Sequence, residues 1–283
     1  MAALNAWTGL ATELAIEELE IELLLEALFQ RHGFDFREYD RPTLRGKLRA
    51  VMEQRSLATV SALQERVLHE PGAASGLLRA LALAPAGLFD DPEHARQMRI
   101  VLGSSLRGSP LPKVWLAECA GVGEAWSMAI LLAEERLYAR TEIYATVANE
   151  ELLAEIREAS LPAGQLAGFQ ENYLKSGGSG NVADYFEISN GEARLLPRLR
   201  SRITWSQYNL VTDASFNEFQ AIVCRRALAD FGPMLRQRVL RLFHESLALF
   251  GALGIDRELS PTDSLASSYQ PVFPNQAWYK RIA

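Results

Sequence analysis

The strongest constraint in this sequence is a unit that recurs from residue 113 onwards: a short apolar run, a small loop and a helical segment. The units are Lys113–Cys119 with a helix over Glu124–Glu135, Glu142–Val147 with a helix from Asn149, and Phe219–Cys224 with a helix over Pro233–Leu249. Alternation of this kind predicts parallel strands joined by crossover helices, hence a doubly wound α/β sheet. Residues 202–208 are a further strand candidate, and 277–282 are expected to supply a closing edge strand.

The first ninety or so residues have a different pattern and are predicted to be helical. Apolar residues recur with helical spacing from Leu10 to about Arg31, where Gly33 ends the run. Further helices are expected from near Pro42 and over 61–69 and 73–82, then a linking helix at 92–102. Turn-forming residues at 103–112 separate the two patterns. We expect a helical domain over 1–95 and a Rossmann-like α/β domain over 96–283. The glycine-rich residues 176–180 are expected to form a flexible loop.

One predicted helix carries a concentrated positive charge. Arg41, Arg45 and Arg49 are four residues apart, Lys47 lies between them, and no acid occurs from Arg41 to Met52, which gives +4 in a chain of net charge −6. The acidic total argues against nucleic acid as a partner. The basic face is either a docking surface for an acidic protein or a solvated helix face.

Composition limits the compartment and the chemistry. No basic segment opens the chain, as a signal peptide would, and no apolar run is long enough to span a bilayer. Neither Cys119 nor Cys224 belongs to a CxxC pair, so we expect a reducing cytoplasm and no membrane insertion. The four histidines are scattered without metal-ligand or triad spacing, so no metal site is predicted.

In an open α/β sheet, ligands bind beyond the carboxyl ends of the strands. The loop after the first predicted strand contains Gly121 and Gly123, which would let a ligand approach the backbone and the start of the next helix. The alternative is a plain turn, because the full GxGxxG pattern is absent.

Read in order, several segments resemble the chemotaxis receptor methyltransferases, the CheR family. Leu88-Phe-Asp-Asp-Pro92 is similar to the family's FFRDP segment, and Gln207-Tyr-Asn-Leu210 to its NL motif. The remaining matches are Leu23–Phe36 with the helical domain, Trp115–Ala129 with WSAGCSTGEEPYSLA, Ala145–Asn149 with ATDID, and Phe219–Arg226 with FDLIxCRN.

The resemblance implies a protein that uses S-adenosylmethionine, releases S-adenosylhomocysteine and methylates glutamate side chains on the acidic cytoplasmic helices of a chemoreceptor. The positions that match cofactor contacts of the family are Glu124, Asn209, Leu210 and Arg225. The resemblance also implies that the basic helix, with Arg41, Arg45, Lys47 and Arg49, docks the receptor.

Other family positions have changed, and the changes leave two functions open. Val147 replaces the acid that accepts hydrogen bonds from the ribose, Asp90 replaces the arginine of FFR, and Asp230 replaces a tyrosine. Asn149 and Arg226 are candidates to compensate. The chain is therefore either an active glutamate methyltransferase, with catalytic residues that the sequence does not identify, or an inactive CheR-like regulatory or interaction module.

Overall fold

The computed structural model describes residues 2–260 and 263–283, with side chains from residue 14 onwards. The chain divides into two compact units. One comprises the chain up to Ala82 together with Asp230–Arg236, and the other comprises Leu83–Ala229 and Gln237–Ala283. Each unit has its own hydrophobic core.

The first unit is helical, as the sequence predicts. Its helices are α1 (Ala2–His32), α2 (Arg41–Gln54), α3 (Val60–His69) and α4 (Ala73–Leu81). The side chain of Asp40 caps α2 by accepting a hydrogen bond from the Thr43 amide at 3.1 Å, and Pro42 lies in the first turn. The core includes the apolar faces of all four helices. Leu44, Leu48 and Val51 of α2 are buried.

A segment distant in sequence completes this unit. The Asp40 amide donates to the Asp230 carbonyl, and the Gly232 amide donates to the Glu38 carbonyl, each at 2.8 Å. The rings of Tyr39 and Phe231 meet edge to face. Asp230 is therefore held by backbone pairing beside the start of α2.

The second unit is an α/β domain. Its helices are α5 (Pro92–Leu106), α6 (Val122–Glu134), α7 (Glu150–Arg157), α8 (Leu166–Lys175), α9 (Pro197–Arg200) and α10 (Pro233–Ser246), of which α10 begins within the segment assigned to the first unit. Its strands are β1 (Lys113–Leu116), β2 (Glu142–Val147), β3 (Leu161–Pro162), β4 (Phe186–Ser189), β5 (Glu192–Leu195), β6 (Ile203–Gln207), β7 (Phe219–Cys224), β8 (Leu247–Ile255), β9 (Tyr269–Pro271) and β10 (Trp278–Arg281).

The main sheet has the order β6-β2-β1-β7-β8-β10-β9, and β3, β5 and β4 form a small separate sheet. The pairs among β6, β2, β1, β7 and β8 are parallel, whereas β10 is antiparallel to both neighbours. A mostly parallel sheet with crossover helices confirms the predicted doubly wound fold.

Two predictions at the end of the chain are wrong. The last strand is not an edge strand, because β10 lies between β8 and β9. The last long helix does not reach Leu249 but ends at Ser246, and the apolar run from Leu247 to Ile255 forms the strand β8. In addition, α5 continues to Leu106, into the stretch predicted as turns.

The glycine-rich loop over 176–180 is packed against the domain rather than loosely attached. A methyl group on Gly178 would lie 2.3 Å from ring atoms of Tyr173. The Gly180 amide donates to the Tyr173 hydroxyl at 3.2 Å, and Arg99 Nε donates to the carbonyl of the buried Ser176 at 2.8 Å. The same Tyr173 hydroxyl donates to Glu134.

Across the described ranges, none of the helices combines the length and the apolar character that a membrane span requires.

Candidate functional site

A cavity opens at the carboxyl ends of β1 and β7, where the topology of the sheet places a ligand. Its empty space, together with the solvent onto which it opens, is about 460 Å³. Apolar side chains from α5 and α6 form much of its wall. Its ionisable side chains are Asp90, Asp91, His94, Glu124 and Arg225.

Arg225 lies at the centre of the charges in this cavity. Its guanidinium pairs with Asp90 at 3.3 Å and with Asp91 at 2.9 Å. Asp91 also caps α5, because it accepts from the His94 amide at 2.9 Å. Glu124, in the first turn of α6, is partly buried, and burial raises the pKa of its carboxyl, while the positive charge of Arg225 opposes that rise. Two carboxylates thus pair with one guanidinium, and a third carboxyl group lines the same cavity.

Gly123 has a different role from the one expected. A methyl group at this position would lie 2.2 Å from the Ala86 carbonyl oxygen and 2.7 Å from that of Gly87. The space that the missing side chain leaves is therefore filled by the backbone at 86–87. Gly123 allows close packing of α6 on this segment rather than close approach of a ligand.

The four predicted cofactor contacts do not all meet in the cavity. Glu124 and Arg225 line it, whereas Asn209 and Leu210 follow β6, which is separated from β1 by β2. Leu210 is buried. The Asn209 side chain accepts a hydrogen bond from the Val211 amide at 2.9 Å, within its own turn.

The end of β2 offers little polarity to a ligand. Val147 stands at the position of the family's acid and is fully buried. No side-chain oxygen is therefore available there to accept a hydrogen bond from a ribose. Asn149 caps α7, with Oδ1 accepting from the Leu152 amide at 2.9 Å. Since that oxygen is engaged, Asn149 is a poor substitute for the missing acceptor.

All four predicted docking residues have partners within the helical unit. Arg41, Arg45 and Arg49 pair with Glu17 and Glu18 of α1. Lys47 is 2.6 Å from an Asp230 carboxylate oxygen and donates to the Leu81 carbonyl at 2.8 Å. The basic face is thus compensated within the unit, and the charge calculated from α2 alone overstates its positive potential.

Family models cover most of the chain. Residues 88–258 match the model described as "CheR methyltransferase, SAM binding domain", and residues 19–82 match "CheR methyltransferase, all-alpha domain". The chain belongs to the CheR methyltransferase family.

Several curated proteins are similar over most of their length. A Pseudomonas putida protein called Cher3 is 36% identical over 265 residues, which cover 93% of this chain and 97% of that protein. Chemotaxis protein methyltransferase 1 of Pseudomonas aeruginosa is 22% identical, with coverage of 80% and 84% respectively. Chemotaxis protein methyltransferase Cher2 of Pseudomonas putida is 23% identical, with coverage of 73% and 78%.

S-adenosylmethionine is the cofactor of the CheR family. The charged side chains of the cavity fit the methionine end of this molecule. The methionine part carries an ammonium and a carboxylate, and the cavity holds both carboxylates, such as Glu124, and the guanidinium of Arg225. The ribose lacks its acceptor at Val147. Within the described ranges, no group of three or more His, Cys, Asp or Glu residues has the geometry of a metal site.

Two side chains of the site were not identified from the sequence. His94 and Trp278 stack at a centroid distance of 4.9 Å and line a second, polar cavity of about 750 Å³ that shares Asp91, His94 and Arg225 with the first. Burial and the nearby Arg225 lower the pKa of His94 to about 3, so its imidazole is neutral at pH 7. The only signal in the sequence that could have identified His94 is its position two residues after the Leu88–Pro92 segment.

Proposed function

We propose that this CheR family member is a cytoplasmic enzyme of a chemosensory system that methylates glutamate side chains of a chemoreceptor. The proposal rests on the contacts that the guanidinium of Arg226 makes. Its guanidinium donates to the Ala84 carbonyl at 2.7 Å, and no carboxylate of the described residues lies within ion-pair distance. A cation beside the carboxyl end of β7 is suited to receive an acceptor carboxylate.

Arg226 would thus supply the positive charge that the family places at the position of Asp90. Arg225 is not the candidate for this role, because Asp90 and Asp91 pair with it and its remaining contacts are assigned below to the cofactor. When bound, S-adenosylmethionine supplies an electrophilic methyl group, which leaves with the breaking of its bond to sulfur. Orientation of the acceptor oxygen in line with that bond is the main contribution expected of the protein.

The cofactor contacts remain part of the proposal. Glu124 and Arg225 would hold the amino-acid end in the cavity. Asn209 and Leu210 would contribute from the turn after β6, where the Asn209 amide nitrogen can still donate. The receptor would approach through its acidic helices, drawn by the basic residues of α2.

Two observations favour a second candidate, an inactive CheR-like module that regulates or binds partners. Val147 provides no acceptor for a ribose, and loss of one such contact costs about 1–3 kcal/mol of binding. The carboxylate of Asp90 also lies where an incoming glutamate would be repelled.

Calorimetry with S-adenosylmethionine and S-adenosylhomocysteine separates the candidates first. Binding of both is expected. If neither binds at millimolar concentration, the enzyme proposal is refuted. Tritium transfer to receptor cytoplasmic fragments is the second measurement, read as base-labile methyl groups. Cofactor binding without such incorporation favours the module.

Arg226→Gln tests the proposed acceptor site. A hydrogen bond to a charged group is worth about 1.5–3 kcal/mol, so we expect transfer to fall by about ten- to a hundredfold with little change in cofactor affinity. Arg238→Gln is the matched control, because Arg238 is another arginine with a backbone carbonyl contact, to Thr212 at 3.2 Å. Equal effects of the two substitutions would contradict the role of Arg226.

A further inference from the structure

The basic face of α2 is already covered by an acidic helix, its own neighbour α1. We define the arginine face as Arg41, Arg45 and Arg49. Glu18 accepts from Arg45 at 2.6 Å and lies 3.4 Å from Arg41. Glu17 accepts from Arg49 at 2.8 Å and lies 3.7 Å from Arg45.

The geometry of these pairs is regular. Each carboxylate bridges two arginines that are one helical turn apart, so two adjacent acids on one helix compensate three arginines on another. Hydrogen bonding to Arg49 lowers the pKa of Glu17 and raises that of Arg49. An acidic helix with a neighbouring pair of glutamates is therefore the kind of partner that this face fits.

The covering part of α1 is weakly anchored. Among residues 14–32, the core side chains of α1 begin at Ile21, beyond the acidic pair. Leu14, Ile16 and Leu19 are about half exposed, so they contribute little packing here. Glu17 and Glu18 also lie just before residue 19, where the match to the all-alpha family model begins. The ion pairs are partly exposed, with side-chain exposures between 18% and 54%, and without core packing around them they hold this end of α1 only weakly.

We propose that Glu17 and Glu18 of α1 are an internal competitor for the arginine face, and that an acidic helical partner must displace them in order to dock. The inference rests on the docking role proposed above for α2. The apparent affinity of the face for a partner is then its intrinsic affinity multiplied by the fraction of time for which α1 leaves the face free. Lys47 is outside this competition, because Asp230 and the Leu81 carbonyl hold it.

The test uses the full chain with fluorescein-labelled poly-L-glutamate at low ionic strength, with fluorescence anisotropy as the measurement. Glu17→Gln with Glu18→Gln should tighten binding by about three- to tenfold, since it releases the ion pairs that now compensate the face. The control is Glu22→Gln with Glu65→Gln. It removes the same charge from exposed positions of the same unit that have no ion pair among the described residues.

Addition of Arg45→Gln and Arg49→Gln to the Glu17/Glu18 variant should abolish the gain. A gain that the control matches, or one that survives loss of the two arginines, overturns the inference. Circular dichroism reports whether α1 stays helical, and the single variants Glu17→Gln and Glu18→Gln, each expected to give part of the gain, serve if the double variant does not fold.

The outcome is separable from that of the proposed function. Polyglutamate binding requires neither S-adenosylmethionine nor a receptor. If the gain is present but receptor fragments bind to none of the variants, the internal contact stands and the docking role fails.

Discussion

The protonation of His94 should make the stability of the α/β domain depend on pH. In the folded protein the imidazole lies against Trp278, and burial together with Arg225 lowers its pKa from 6.5 to about 3. In the unfolded chain it titrates near its ordinary value. Between these two values the unfolded state binds more protons than the folded state. The stabilising effect of a neutral His94 is therefore present above pH 6.5 and is lost as the pH falls towards 3.

The size of the effect follows from the shift. Each unit of pKa corresponds to about 1.4 kcal/mol, so the contribution of His94 should fall by about 2 kcal/mol between pH 7 and pH 5. In His94→Gln this part of the pH dependence should disappear, although the variant is less stable than the wild type at pH 7 because the stacked ring is lost.

Denaturant unfolding at the two pH values measures this difference. Tryptophan fluorescence is a suitable signal, because four of the five tryptophans lie in the α/β unit. His69→Gln is the control, since His69 is an exposed histidine at the end of α3. If His94→Gln loses as much stability on acidification as the wild type, the reasoning from burial is wrong.

Two further predictions test packing in the same unit by denaturant unfolding. Gly123→Ala should cost several kcal/mol, because its methyl group would collide with backbone at Ala86, whereas Gly103→Ala, on α5 with nothing within 4 Å, should be neutral or stabilising by up to about 1 kcal/mol. Glu134→Gln should lower the free energy of unfolding by about 3 kcal/mol, because Glu134 accepts hydrogen bonds from the buried Arg99 and from two tyrosines. The control Glu135→Gln, at the neighbouring residue, should lower it by less than about 1 kcal/mol. Equal losses in the two variants would contradict this account.

The parallel part of the sheet was predictable because its central strands are buried on both faces. β1, β2 and β7 are mostly apolar runs bounded by loops, and the structure places them near the predicted positions. The run from Leu247 was harder, because no Gly or Pro separates it from the helix before it, and hydrophobicity alone does not distinguish a helix from a buried strand there. The insertion of β10 between β8 and β9 is a property of topology that no local pattern records.

The site was predictable only in part for a similar reason. Periodicity placed the arginines of α2 on one face, but it could not reveal that Glu17 and Glu18, more than twenty residues away, lie against them. Arg225 was identified by its motif. Its pairing with Asp90 and Asp91 depends on the loop after β7 meeting the start of α5, which only the fold determines.

The packed glycine loop after α8 has a practical consequence for anyone who modifies this protein. Its composition suggests a spacer into which an epitope or a fluorophore could be inserted. Yet Gly178 lies on the ring of Tyr173, and both Ser176 and Gly180 are held by hydrogen bonds. Ser179 is exposed, so its side chain can carry a label. An insertion into the loop would displace the Tyr173 hydroxyl, which donates a hydrogen bond to Glu134.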